Sequence, residues 1–168
     1  MRPDWPGLAG IFCSELMITM SIAGVLLSIA VPSFNTTIHN NRLTAYTNDL
    51  VTAMNLARSE AVKRGVRVTL CKSSDGRTCT NVGNWSQGWI LFNDLNNNAV
   101  YNSATETILK VQGSLGNNTS MIGNANVDNY VSYVSSGQSQ LIGGAFQAGT
   151  IKICDDRIIV DPEIQTVV

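Results

Sequence analysis

"AGIFCSELMITMSIAGVLLSIAVPSF", Ala9 to Phe34, is the stretch on which the reading of the whole chain turns. No charged residue lies between Leu16 and Val31, yet a carboxylate, Glu15, stands at the start of the run. Ile11 to Val31 is 21 residues, which as a helix spans about 31 Å, close to the hydrocarbon thickness of a bilayer. Three readings compete. The run is a signal peptide cut after Ala30, with Ser28 and Ala30 as the small residues such a cut requires; or a simple uncleaved anchor; or a retained apolar helix exposed by an early cut after Gly10. Glu15 separates them. A lone carboxylate in a membrane helix costs about 2.5–3.5 kcal/mol at mid-depth and less near an end, so it calls for a partner. A cut after Gly10 gives Ile11 a free amine one helical turn before Glu15. Ammonium and carboxylate then neutralise each other, within one chain or between neighbouring chains.

Working outward, Pro32 ends the run. It lacks an amide donor and frees a carbonyl one turn earlier, so it is expected to kink a helix there. From Ser33 to Arg64 apolar or small residues recur at Leu43, Tyr46, Leu50, Met54, Ala57 and Ala61. Steps of three and four define one helical face. Arg42, Asp49, Glu60 and Arg64 tend to the other side, with Glu60 and Arg64 spaced as an i,i+4 pair. Gly65 is a natural stop. After it the period switches to two: Val66, Val68 and Leu70 alternate with Arg67, Thr69 and Cys71, and Trp89–Asp94 alternates likewise. Further strands are expected at 107–111, 130–134, 141–146, 150–154 and 157–160, separated by polar turns such as 113–120 and 135–139. One helix followed by short strands at this spacing predicts an α+β fold, a long N-terminal helix packed on an antiparallel β-rich C-terminal domain.

These stretches carry a family resemblance. Gly10, four residues, Glu15 and an apolar run ending at Pro32 are similar to the prepilin signature of type IV pilins and type II secretion pseudopilins. "NRLTAYTNDLVTAMNLARSEAVKRGVRVTLC" and "NWSQGWILFNDLNNN" resemble the GspH/FimT branch, in which an "LARSEA-KR" run ends the helix, a cysteine-bearing strand follows, and a Gly-Trp strand leads into an Asp/Asn-rich turn. The resemblance implies a pilin-like fold, cleavage after Gly10 by a prepilin peptidase, methylation of the Ile11 amine, and pairing of Glu15 with the amino terminus of an adjacent subunit. It divides the chain into a leader (1–10), a transmembrane helix (11–31), an amphipathic continuation (32–64) and a β-rich periplasmic head (65–168). It also implies a single-pass protein of the bacterial inner membrane whose partners are other pseudopilin or pilin subunits, met through the N-terminal helix. Ile11 and Phe12 stand where the family has Phe and Thr, and the leader carries one basic residue, Arg2.

There are four cysteines. Cys13 lies in the apolar run and reads as a small hydrophobe. Cys71 and Cys79 bracket "CKSSDGRTC", whose Asp75-Gly76 turn brings two strand ends together, so a Cys71–Cys79 disulfide and an oxidising compartment are expected. Cys154 has no obvious partner, and Cys71–Cys154 is the rival pairing. Zinc is disfavoured, since the one histidine, His39, is far off in sequence and reads as solvent-exposed.

No catalytic constellation is present, and neither an enzyme activity nor a cofactor is expected. Trp85 and Trp89 read as core or sheet-face aromatics. "DLNNN", Asp94 to Asn98, matches the first ligands of a calcium loop, but Ala99 stands where such a loop needs glycine; a hairpin turn is preferred to a cation site. Asp155 and Asp156 are adjacent, which on a strand points them apart. Gly143-Gly144 reads as a turn or bulge. Three function classes remain: a minor pseudopilin of the type II secretion system; a FimT-type minor pilin acting in pilus assembly or DNA uptake; and a soluble periplasmic protein. From Gly65 onward there are six basic and eight acidic residues. DNA affinity rests on phosphate neutralisation, so this balance argues against DNA binding.

Overall fold

The computed structural model describes residues 8–116, 118–155 and 165–167. The chain divides into two units, Met1–Arg42 and Leu43–Val168. One helix, α1 (Leu8–Arg64), supplies residues to both. It ends where Gly65 takes a positive φ of 69° and donates its amide to the Ala61 carbonyl at 3.0 Å, a conformation in which a Cβ would be strained.

Within the second unit the helical residues from Leu43 onward follow the expected face. Leu50, Ala53, Ala57 and Ala61 are fully buried, and Leu43, Tyr46 and Met54 flank them. Two antiparallel sheets complete this unit. The larger has the order β3-β2-β1-β5, from β1 (Arg67–Lys72), β2 (Trp89–Asp94), β3 (Ile108–Gln112) and β5 (Tyr130–Tyr133). The smaller has the order β4-β6-β7, from β4 (Thr119–Gly123), β6 (Ile151–Asp155) and β7 (Gln165–Val167). The α+β class and the helix-on-sheet arrangement are therefore as the residue pattern predicts.

The registers set the core. Leu70 lies opposite Leu91, and both join Val68, Trp85, Trp89, Met121, Ile151 and Ile153 in one cluster with the buried helix face. Cys71 lies opposite Ile90 and Thr69 opposite Phe92. Cys71, Ile90 and Phe92 form a second cluster with Tyr101, Ile108 and Tyr130. Strand periodicity places it on the other sheet face.

All six residues of β1 are buried, because a central strand covered on both sides has no solvent face. Three expectations are corrected. Residues 113–120 are not wholly a turn, because β4 begins at Thr119 and pairs with β6 from Thr119↔Asp155 to Gly123↔Ile151. Residues 141–146 do not form a strand. They fold into a turn in which Ala145 accepts from the Leu141 amide at 2.8 Å and Leu141 accepts from Gly144 at 2.9 Å, bounded by the single bridges Tyr133↔Ser139 and Gln140↔Phe146. The Gly143-Gly144 pair, with Gly144 at φ 88°, makes that turn. His39 is half-exposed rather than open to solvent. The strand expected at 157–160 lies outside the described residues.

Candidate functional site

In the first unit the apolar side chains face outward. Leu16, Met17, Ile18, Met20, Ile22, Val25, Leu26, Leu27 and Ile29 are each between 55% and 71% exposed. Successive residues on a helix step by 100°, so such a run is apolar on every side. Its hydroxyls are hidden within the helix: Thr19 donates to the Leu16 carbonyl at 2.9 Å, Ser21 to Met17 at 2.7 Å and Ser28 to Val25 at 2.7 Å. Hydroxyls satisfied in this way suit a solvent that offers no hydrogen bonds. Length and composition make this helix a candidate membrane anchor. Glu15 is exposed at its start. Gly10, Ile11 and Pro32 lie within α1, which is one helical element from Leu8 to Arg64.

In the second unit Cys71 and Cys79 form a disulfide, with Cα atoms 5.6 Å apart. Cys154 on β6 is a free, half-buried thiol, so the rival pairing is not adopted. Asp75 organises the enclosed loop. Its carboxylate accepts from the Arg77 and Thr78 amides, both at 2.8 Å, from the Thr78 hydroxyl at 2.8 Å and from the Ser73 hydroxyl at 3.0 Å. The backbone amides of Arg77 and then Thr78 are the main reason its pKa falls well below the ordinary carboxylate range, because every one of these donors favours the charged form.

The Asp94–Asn98 segment is a self-capped turn. Buried Asp94 accepts from the Thr69 hydroxyl at 2.9 Å and from the Asn98 and Ala99 amides at 3.0 and 2.9 Å. Buried Glu106 closes the same loop by accepting from the Leu95 and Asn102 amides at 3.0 and 2.8 Å. Among the described residues no group of three or more His, Cys, Asp or Glu is placed to hold a metal ion.

Two buried cations escape a reading by sequence. Arg67 sits on β1 and donates to Asn97, the Ser132 hydroxyl, and both the carbonyl and side-chain oxygens of Gln140. The Lys72 side chain is 1% exposed; its Nζ donates to the Gly83 carbonyl at 2.9 Å and lies 3.7 Å from Asp128. No local signal in the sequence marks either as buried. Both burials remove positive charge from the surface of the head. Arg157, the one arginine of the carboxyl-terminal stretch in which some FimT-type pilins carry DNA-binding arginines, lies outside the described residues.

The family model described as "Type II transport protein GspH" matches residues 46–166. A search of curated proteins finds no match. Among solved structures, the type IV minor pilin FimU of Pseudomonas aeruginosa strain PAO1 is similar over 70% of this chain and 75% of that one, at 18% identity and a TM-score of 0.49.

Proposed function

The chain belongs to the GspH family of type II transport proteins, whose members are pilin-like structural subunits rather than enzymes, and from that premise we propose that it is a minor pseudopilin of the type II secretion pseudopilus. One observation carries the reading: an all-round apolar helix, uncharged from Leu16 to Val31, opens on a single carboxylate, Glu15. Such a surface needs cover from lipid before assembly and from neighbouring helices after it. In this reading a prepilin peptidase removes residues 1–10 and Ile11 becomes the methylated amino terminus. Glu15 then meets the amine of an adjacent subunit. Pro32 bends the helix where it leaves the inner membrane, and the disulfide-bonded head stands in the periplasm.

The alternative is a FimT-type minor pilin. Its DNA-binding form is disfavoured by the head itself. Of its six basic residues, Arg67 and Lys72 are buried and engaged, and Lys110 lies over the Trp89 ring at 5.5 Å. Of the six, Arg77 and Lys152 are exposed among the described residues, a sparse set of cations to meet phosphates.

Glu15→Ala in the full chain, expressed in its own cells, tests the proposal. The membrane level of the protein should hold while its recovery in sheared filaments falls by about tenfold or more, the loss of roughly one charge-assisted pair. Unchanged recovery would refute the reading. Mass spectrometry of the same material should find a methylated Ile11 at the amino terminus; a start at Val31 would instead mean an ordinary secreted protein.

A further inference from the structure

A groove of about 220 Å³ lies in the second unit between α1 and β5. Met54, Val131 and Ile151 give it an apolar lining, and Arg58, Tyr133 and Phe146 complete it. Two features distinguish it from an incidental surface dent.

The first is Phe146. It is 71% exposed, so the head does not need it for its core, yet the segment that carries it is tied down. The neighbouring Gln147 is 3% exposed. Its side-chain oxygen accepts from the Ser132 amide at 2.9 Å, and its side-chain nitrogen donates to the Asn126 and Tyr130 carbonyls at 2.8 and 2.9 Å. The Ser139 hydroxyl donates to the Gln147 carbonyl at 2.7 Å. A bulky aromatic exposed on a backbone anchored beside it is placed for contact, and such residues dominate interface energetics.

The second is Arg58. It is exposed, and its guanidinium lies over the Tyr133 ring, 5.5 Å from the ring centre, a cation–π contact that leaves its N–H groups available. Among the described residues it makes no hydrogen bond or ion pair. The nearby helix carboxylate of Glu60 is already paired with Lys63 and Arg64. A cation at the rim of an apolar groove, with no carboxylate paired to it among the described residues, is complementary in charge to a carboxylate on a partner.

We propose that this groove is a docking site for a partner protein segment that presents an apolar side chain beside an aspartate or glutamate. The apolar side chain enters against Met54, Val131 and Ile151 under Phe146, and the carboxylate takes the free edge of Arg58. The proposal rests on the assembly reading only in that it takes the partner to be a neighbouring subunit.

The test places the photocrosslinker p-benzoylphenylalanine at position 146 of the full chain in its own cells. A second strain carries it at Val82, which is 78% exposed, as the control. Adduct peptides are mapped by mass spectrometry, and filament recovery is scored in the same cells. The expected result is a single partner peptide at position 146 with a carboxylate within two residues of the linked site. Arg58→Glu should reduce that adduct about tenfold and leave the Val82 background unchanged. Exchanging the partner's carboxylate for arginine in the Arg58→Glu strain should restore it, which loss of folding could not produce. A chain that assembles but gives at position 146 only the Val82 background, or an adduct indifferent to Arg58→Glu, would overturn the proposal. A chain that never enters filaments counts against the assembly reading instead.

Discussion

The two units place their side chains in opposite senses. From Leu16 to Ile29 the large apolar residues are more than half exposed, and the helix hides its hydroxyls on its own carbonyls. In the head, two cations and two carboxylates (Arg67, Lys72, Asp94 and Glu106) are buried, each with named partners. The difference teaches that burial follows the solvent each unit meets rather than the residue type alone. Charge is tolerable inside the head because each charged group is met by fixed dipoles. Apolar surface is tolerable outside the helix where the surroundings are themselves apolar.

The comparison breaks most sharply at Asp94. Asp94→Ala strands the Thr69 hydroxyl and two backbone amides, so it should destabilise the head by about 4 kcal/mol, given roughly 1–3 kcal/mol for each group left unsatisfied. Urea unfolding of the full chain in detergent micelles measures this. An effect below about 1 kcal/mol, the size of an ordinary surface change, would mean the buried carboxylate is not an organising group. The mirror experiment belongs to the other unit. Leu26→Arg should cost about 3 kcal/mol of membrane insertion and move the chain toward the soluble fraction, while the urea midpoint of the head stays put. A shift of that midpoint would show that the apolar helix contributes to the stability of the head.

Reducing the Cys71–Cys79 disulfide should lower head stability by about 2.5 kcal/mol, the loop-closure value for so short a ring. The double variant Cys71→Ser, Cys79→Ser should match reduced wild type, and an unchanged midpoint would remove the disulfide from the account. The smallest effect is that of pH. Asp75 has a folded pKa lowered from 3.8, so its contribution is fully present above that value and fades as pH falls below 3.8 toward the folded pKa. Asp75→Asn should flatten the acid limb of the stability curve and leave its slope near neutrality alone.

What the sequence disclosed, and what it did not, divides along locality. The helix face from Leu43 to Ala61 was legible because periodicity is a local signal, and so was the Cys71–Cys79 pair, which needs only the turn between them. The burial of Arg67 was not. It depends on Asn97, Ser132 and Gln140, which lie 30, 65 and 73 residues away. β4 was missed because Thr119 and Ser120 look like a loop until Met121 is seen opposite Ile153 of β6. Residues 141–146 misled in the reverse direction, since a short apolar run there is broken into a turn by two adjacent glycines. The groove around Phe146 had no local signature, because its lining gathers from α1, β5, β6 and a loop.

Trp85 and Trp89 are both almost fully buried, and the Trp85 indole donates to the Val127 carbonyl at 2.9 Å. The third tryptophan, Trp5, precedes Ile11. In the proposed processed form, which starts at Ile11, both remaining indoles lie in the head's core, and the apolar helix contains none. Intrinsic fluorescence of the processed protein is therefore a private optical channel to the head, blind to whatever lipid or neighbours surround the helix.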